Sequence, residues 1–219
     1  MPELGHDRML ALSYIPAASR EAVRALWQLD AALGAVLAGG REPLISQIKL
    51  AWWRDSLEKL DRERAPAEPA LLAASEHILP RRVTGAELSG MEEGWTALLT
   101  PEVLTDQELA LYAAARGALL FRFTARLLES ESSPEIEAAG ERWALVDLAR
   151  HSGNDVDADA AVAAARVREG PPRWPSRLRP LGMLAALAAR DIEERRPRWE
   201  PQGSPRRMLR MLGHRFSGK

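Results

Sequence analysis

Leu and Ala recur along this chain at helical spacing, and Val, Ile and Thr nowhere cluster into an alternation with a period of two. Caps and breakers divide the pattern into helices. Ser19 caps a helix that runs to about Ala38 and stops at Gly39-Gly40. Pro43 opens a second helix ending near Leu60, and a third lies between Pro69 and Pro80. Thr84 with Glu87, and Thr105 with Glu108, have capping-box spacing and open helices that end near Leu99 and Glu129. Ser133-Pro134 and Ser204-Pro205 each set proline behind an N-cap serine, for helices ending near His151 and Phe216. Asp157 caps a helix stopped by Gly170-Pro171-Pro172, and Ser176 begins one reaching about Arg195. The pattern predicts an all-α bundle with short connections and one domain over residues 1–219. The polar stretch from Glu63 to Pro69 is the best candidate for a flexible loop.

Three helices carry more information than their boundaries. On the first, Val23, Leu26, Trp27, Leu33 and Leu37 form an apolar stripe, and Asp30 falls on it. A buried carboxylate needs a cation, a metal or hydrogen-bond donors. Asp30 is therefore either a structural residue held by an arginine or a helix N-terminus, or a group facing a cavity. On the second, Trp52 groups with Ile45 and Ile48, while Trp53 groups with Leu50, Leu57 and Leu60. That wide apolar arc predicts a central helix. On the last, Met208, Leu209, Leu212 and Phe216 form one stripe flanked by Arg206, Arg207, Arg210 and Arg215, the pattern of a basic helix lying in a membrane interface. Its plainer reading is a helix that closes the bundle with its arginines in water.

Composition narrows the chemistry. The chain has no cysteine, which excludes disulfides, Cys-based zinc sites and a Cys nucleophile. Its four histidines are scattered, with no pair at ligand spacing, and there is no dinucleotide fingerprint, Walker loop or nucleophile elbow. The segment from Met1 to Met9 is charged and reads as no signal peptide, and no apolar run is long enough for a membrane span. The net charge of −1 hides an asymmetry: from Arg166 to Lys219 there are 14 Lys and Arg against 5 Asp and Glu, a balance of +9, leaving −10 on the rest. A basic end on an acidic body points to an anionic partner such as lipid headgroups, diphosphate or nucleic acid, or else to an ordinary solvated surface. The expected place is the cytoplasm, peripheral on the inner membrane face.

Order and spacing of several segments resemble the squalene/phytoene synthase family. The run Trp52-Trp53-Arg54-Asp55 follows the Asp30 helix as in that family. Asp30 matches the first carboxylate of its Asp-x-x-x-Asp motif, with Gly34 standing where the second belongs. The segment from Leu145 to Asp155 matches the second motif: Arg150 fits, His151 replaces the leading Asp, Asp155 fits the trailing one, and Asp147 lies nearby. Tyr112 to Phe123, with the small residues Ala113, Ala114, Ala115, Gly117 and Ala118, resembles the helix lining the family's cavity. Segments around Leu178 to Met183 and Ser204 to Arg210 look like a short bacterial branch.

The resemblance implies an isoprenoid-synthase-like bundle around a central cavity. Its candidate lining residues are Asp30, Tyr112, Arg116, Asp147, Arg150 and Asp155. It implies Mg2+ held by Asp30, Asp155 and Asp147 and an isoprenoid diphosphate near Tyr112, Arg116 and Arg150; no NADPH site is evident in the sequence. One carboxylate missing from each motif argues against the metal cluster that draws off a diphosphate. The reading that follows is a noncatalytic binding or assembly protein at or near a membrane. Such a protein would touch lipid through Arg206, Arg207, Met208, Arg210, Leu212 and Phe216, and would have a protein partner. The alternative is an active Mg-dependent prenyl transferase. A helical nucleic-acid binder is disfavoured, because the basic residues are not interleaved with aromatics.

Overall fold

The computed structural model describes residues 3–39, 42–100, 103–194 and 199–219, and among them there is no strand. The helices are α1 (His6–Ser13), α2 (Ala17–Gly39), α3 (Pro43–Lys59), α4 (Pro69–Ala73), α5 (Gly85–Ser89), α6 (Met91–Thr96), α7 (Asp106–Tyr112), α8 (Leu119–Leu127), α9 (Pro134–His151), α10 (Asp155–Arg166), α11 (Arg179–Glu193) and α12 (Pro205–Ser217). The segment Ala113–Ala118 continues α7 into α8 with π-helical bonding, and Ala74–Ile78 does the same after α4.

Local chemistry sets most ends. Thr84 and Thr105 each accept the N–H of a glutamate three residues on, whose carboxylate returns to the threonine N–H. Ser133 accepts from Ile136 N–H and Ser204 from Arg207 N–H, each ahead of a proline in the first turn. The packing centres on α9, which crosses the π-helical segment and also contacts α8, α10 and α11. Gly117 and Gly140 meet at that crossing, where a Cβ on Gly140 would lie 2.8 Å from the Phe121 ring. Trp27, Tyr112, Phe121 and Phe123 are fully buried in the apolar cluster, which runs from Leu4 to Met211.

The structure differs from the sequence pattern at several points. α2 begins at Ala17, so Ser19 is buried in its first turn and does not cap it. Gly40 and Arg195, expected near helix ends, lie outside the described residues. The helix expected from Thr84 to Leu99 divides at Gly90 into α5 and α6. α10 starts one turn earlier than expected, capped by Asn154, whose side chain accepts from Val156 N–H at 2.9 Å. Asp157 instead accepts from Leu104 N–H at 2.9 Å. Nor is α3 central: Trp53 is buried, but Leu44, Ile45, Ile48 and Trp52 are exposed. Its wide apolar arc exceeds what the bundle covers. The N-terminal helix α1 was not expected at all, and it matters most for the site.

Candidate functional site

The inward face of α2 delivers Asp30 to the interior with no exposure. There it meets Arg116, which the π-helical segment turns toward α2. Arg116 Nε donates to Asp30 Oδ1 at 2.9 Å and Nη2 donates to Oδ2 at 3.1 Å, a two-pronged pair. Nη1 of the same guanidinium lies 2.8 Å from Asp147 Oδ2 and also donates to the Tyr112 hydroxyl. Arg8, from α1, donates to Asp30 Oδ2 at 2.8 Å and to the Trp27 carbonyl at 3.3 Å. Aromatic faces enclose the cations: Arg116 lies 4.4 Å from the Trp95 ring centroid and 4.9 Å from that of Trp143, and Arg8 stands 4.7 Å from Trp143.

These pairings set the protonation states. Burial pushes the Asp30 carboxyl up, but Arg116 and Arg8 more than offset it and hold Asp30 below its ordinary value. Asp147 follows the same pattern, with burial opposed by Arg116, Arg8 and His151. Burial would lower Arg116, yet Asp30, Tyr112 and Asp147 raise it well above its usual value. Burial raises the Tyr112 hydroxyl, so it stays neutral. The centre is thus a fixed array of two carboxylates and two guanidinium groups.

A second array lies alongside. Arg207 on α12 is 3% exposed. Its Nη1 donates to Asp191 Oδ1 and Oδ2 at 2.6 and 2.8 Å, and its Nε donates to Asp7 Oδ2 at 2.9 Å. Arg150 donates to Asp191 Oδ2 at 3.1 Å and to the Glu200 carbonyl at 2.6 Å. Between the two arrays opens a pocket of about 260 Å³, whose walls include Arg8, Trp143, Asp147, Arg150, Asp191 and Arg207.

Of the six residues proposed to line a cavity, Asp147 and Arg150 face this pocket, while Asp30, Tyr112 and Arg116 are buried behind Arg8 and Asp147. Asp155 is not brought to them: α9 ends at His151, and Asp155 is exposed in the first turn of α10. The helix break at Ser152 and Gly153 removes the one-turn spacing that the sequence implies. His151 is exposed, with Nδ1 2.7 Å from the Asp147 carbonyl oxygen. Among the substrate-binding candidates, Arg116 binds Asp30, Asp147 and the Tyr112 hydroxyl, and Arg150 binds Asp191. Arg207 is corrected from a lipid contact to a buried ion-pair partner, since α12 turns it inward. Arg206, Met208, Arg210 and Phe216 are exposed, and Leu212 is partly buried.

The carboxylates do not fit a magnesium ion. Both Asp30 oxygens accept from guanidinium groups, and Arg116 places a permanent positive charge between Asp30 and Asp147, the carboxylates that would have to hold the ion. At Gly34 the second carboxylate of that turn would have to displace Trp95, because a Cβ there would lie 2.7 Å from the Trp95 ring. Among the described residues, no three His, Asp or Glu side chains are grouped to hold a metal.

Sequence reasoning missed Arg8, Trp95, Trp143, Asp7 and Asp191. Asp191 carried a usable signal, since it follows Leu184, Leu187 and Ala188 on one helical face, as Asp30 follows Leu26 and Trp27.

No curated protein and no solved structure matches the chain. The family model for squalene/phytoene synthase matches residues 1–167, a span that contains Asp30, Gly34, Arg116, Asp147 and Asp155 and ends before α11 and α12. With that match covering most of its length, and with its all-α architecture, the chain belongs to the squalene/phytoene synthase family.

Proposed function

We propose that this chain is a noncatalytic member of its family: one helical domain serving as a binding or assembly protein at the inner membrane face of the cytoplasm. The observation that carries this reading is Arg116, buried between Asp30 and Asp147. Family members in general bind isoprenoid diphosphates and depend on Mg2+. That chemistry needs carboxylates free to hold the metal against a diphosphate, so that it can take up charge as the leaving group departs. Here Arg116 and Arg8 together already balance the charge of Asp30 and Asp147. Trp95 fills the turn where a further ligand would stand. The retained fold and its pocket remain as a binding surface, with Arg8, Arg150 and His151 supplying positive or hydrogen-bonding groups at the rim.

Incubation with farnesyl or geranylgeranyl diphosphate and Mg2+ tests the reading. No diphosphate release and no C30 or C40 product is expected. Mg-dependent product that Asp30→Asn abolishes would establish the alternative, an active prenyl transferase.

A further inference from the structure

We infer that α12 is a pre-formed docking ridge for an anionic lipid surface, with Leu209, Leu212 and Phe216 as its inserted row. The helix inverts the usual arrangement of polar and apolar faces. Toward the bundle it turns Arg207, Met211 and His214, at spacings of four and three, with exposures of 3%, 0% and 3%. Toward solvent it turns Leu209 and Phe216, seven residues apart and therefore on one line, exposed by 68% and 75%. Leu212 lies between them and is partly buried, and Met208 borders the row at 40% exposure. A helix that merely closed a bundle would turn these apolar residues inward and its arginine outward. Here the packing is already satisfied by the other face.

That other face is firmly fixed. Arg207 is tied to Asp7 and Asp191. Arg179 Nη1 donates to the carbonyls of Arg215 and Phe216 at 3.2 and 3.1 Å. The Trp174 N–H donates to the Gly218 carbonyl at 2.9 Å. The ridge is therefore helical before it meets a surface, and binding carries no cost of folding it.

Charge selects the occupant. α12 contains no acidic residue, and Arg206 and Arg210 are exposed beside the apolar row. They stand where they can reach headgroup phosphates while Leu209 and Phe216 enter the acyl boundary. The segment from Arg166 onward carries +9 and the remainder −10, so an anionic leaflet attracts this end of the molecule and repels the rest. α12 also lies beyond the residues that the family model matches, so the ridge is a feature of this chain and not of the matched segment.

The inference supplies the contact surface for the membrane-located reading above, and its test is separate from turnover. The full chain is sedimented with phosphatidylglycerol–phosphatidylcholine vesicles and with phosphatidylcholine vesicles, at low and high salt. Binding to the anionic vesicles at low salt, weakened by salt, is expected. Replacing Leu209 and Phe216 together by Gln should weaken it at least about tenfold. Arg206→Gln and Arg210→Gln should each weaken it about fivefold. Both sets should keep the wild-type melting temperature, because all four side chains are exposed. No binding by the wild type, or binding unchanged in the Leu209 and Phe216 variant, overturns the inference. An acidic protein partner in place of lipid would give the first of those results. A chain that binds vesicles but turns over prenyl diphosphate overturns only the noncatalytic reading. One that does neither overturns only this ridge.

Discussion

Arg116 and Arg207 are built alike and placed differently. Each is a buried guanidinium held between two aspartates: Asp30 and Asp147 for Arg116, Asp7 and Asp191 for Arg207. Helix α1 serves both, sending Arg8 to the first array and Asp7 to the second. The first lies inside the family-matched segment, stacked among Trp95, Trp143 and Tyr112. The second joins the two ends of the chain, Asp7 and Arg207 being 200 residues apart. The same ion-pair chemistry thus has two uses here. In the centre it pairs Asp30 and Asp147 inside the bundle, which on the proposed reading withdraws them from metal binding. At the edge it fastens α12 so that its apolar row can face outward.

The largest effect is expected at the central array. Arg116→Met leaves Asp30 buried without its main partner and should cost about 3–5 kcal/mol of stability. Adding Asp30→Leu and Asp147→Leu removes the stranded carboxylates, leaves Arg8 to the Trp27 carbonyl and the pocket, and should recover part of that loss. Denaturant melts of the single and triple variants measure both steps, and a harmless single variant would break the account of this centre. Arg207→Met should cost less, about 2–3 kcal/mol from lost charge-assisted hydrogen bonds. Its distinguishing sign is loss of hydrogen-exchange protection in α12 with α9 unaffected. Equal loss in both helices would mean that the two arrays act as one.

Gly34→Asp with His151→Asp restores the family's motifs in sequence but not in space. The new side chain at position 34 must displace Trp95, at about 1–3 kcal/mol, and Arg116 still neutralises the site. No gain in Mg-dependent diphosphate binding is expected unless Arg116 is also replaced. A gain in the double variant alone would show that Arg116 yields its place to metal.

The smallest expected effect is in acid. His214 packs on Trp174, and burial lowers its pKa below the ordinary value. The unfolded chain therefore takes up this proton first. The contribution of neutral His214 is complete above about pH 6.5 and is lost as pH falls from there toward the folded value. The carboxylates of the central array follow at lower pH. Depressed Asp30 and Asp147 stabilise fully above about pH 3.9, and their contribution goes as pH falls toward their folded values. Melting temperature against pH should show the upper step, and His214→Gln should remove it. A step that persists in that variant would assign it elsewhere.

The caps at Thr84, Thr105, Ser133 and Ser204, the prolines behind the two serines and the apolar stripe of α2 were legible in the sequence because each rests on neighbours within one helical turn, whereas the same kind of pattern misassigns Ser19 and Asp157 as caps. Asp30 stood out for the same reason, and the structure gives it two arginines, Arg8 and Arg116. What local pattern does not carry is pairing across the fold. Nothing near Arg8 marks it as the partner of Asp30, 22 residues on, and nothing near Trp95 marks it as the side chain seated on Gly34. The stripe of α12 was legible, but its orientation was not. Arg207 and Met211 face inward because Asp7 and Asp191 wait for the guanidinium, and those partners lie on other helices.

The central claim is that Arg116 occupies the place of the family's metal. Isothermal titration of the wild-type chain with farnesyl diphosphate, with and without Mg2+, tests it directly. The account predicts that Mg2+ makes no difference to the heat of binding in the wild type or in Asp30→Asn. Saturable Mg-dependent binding in the wild type, lost in Asp30→Asn, would contradict it.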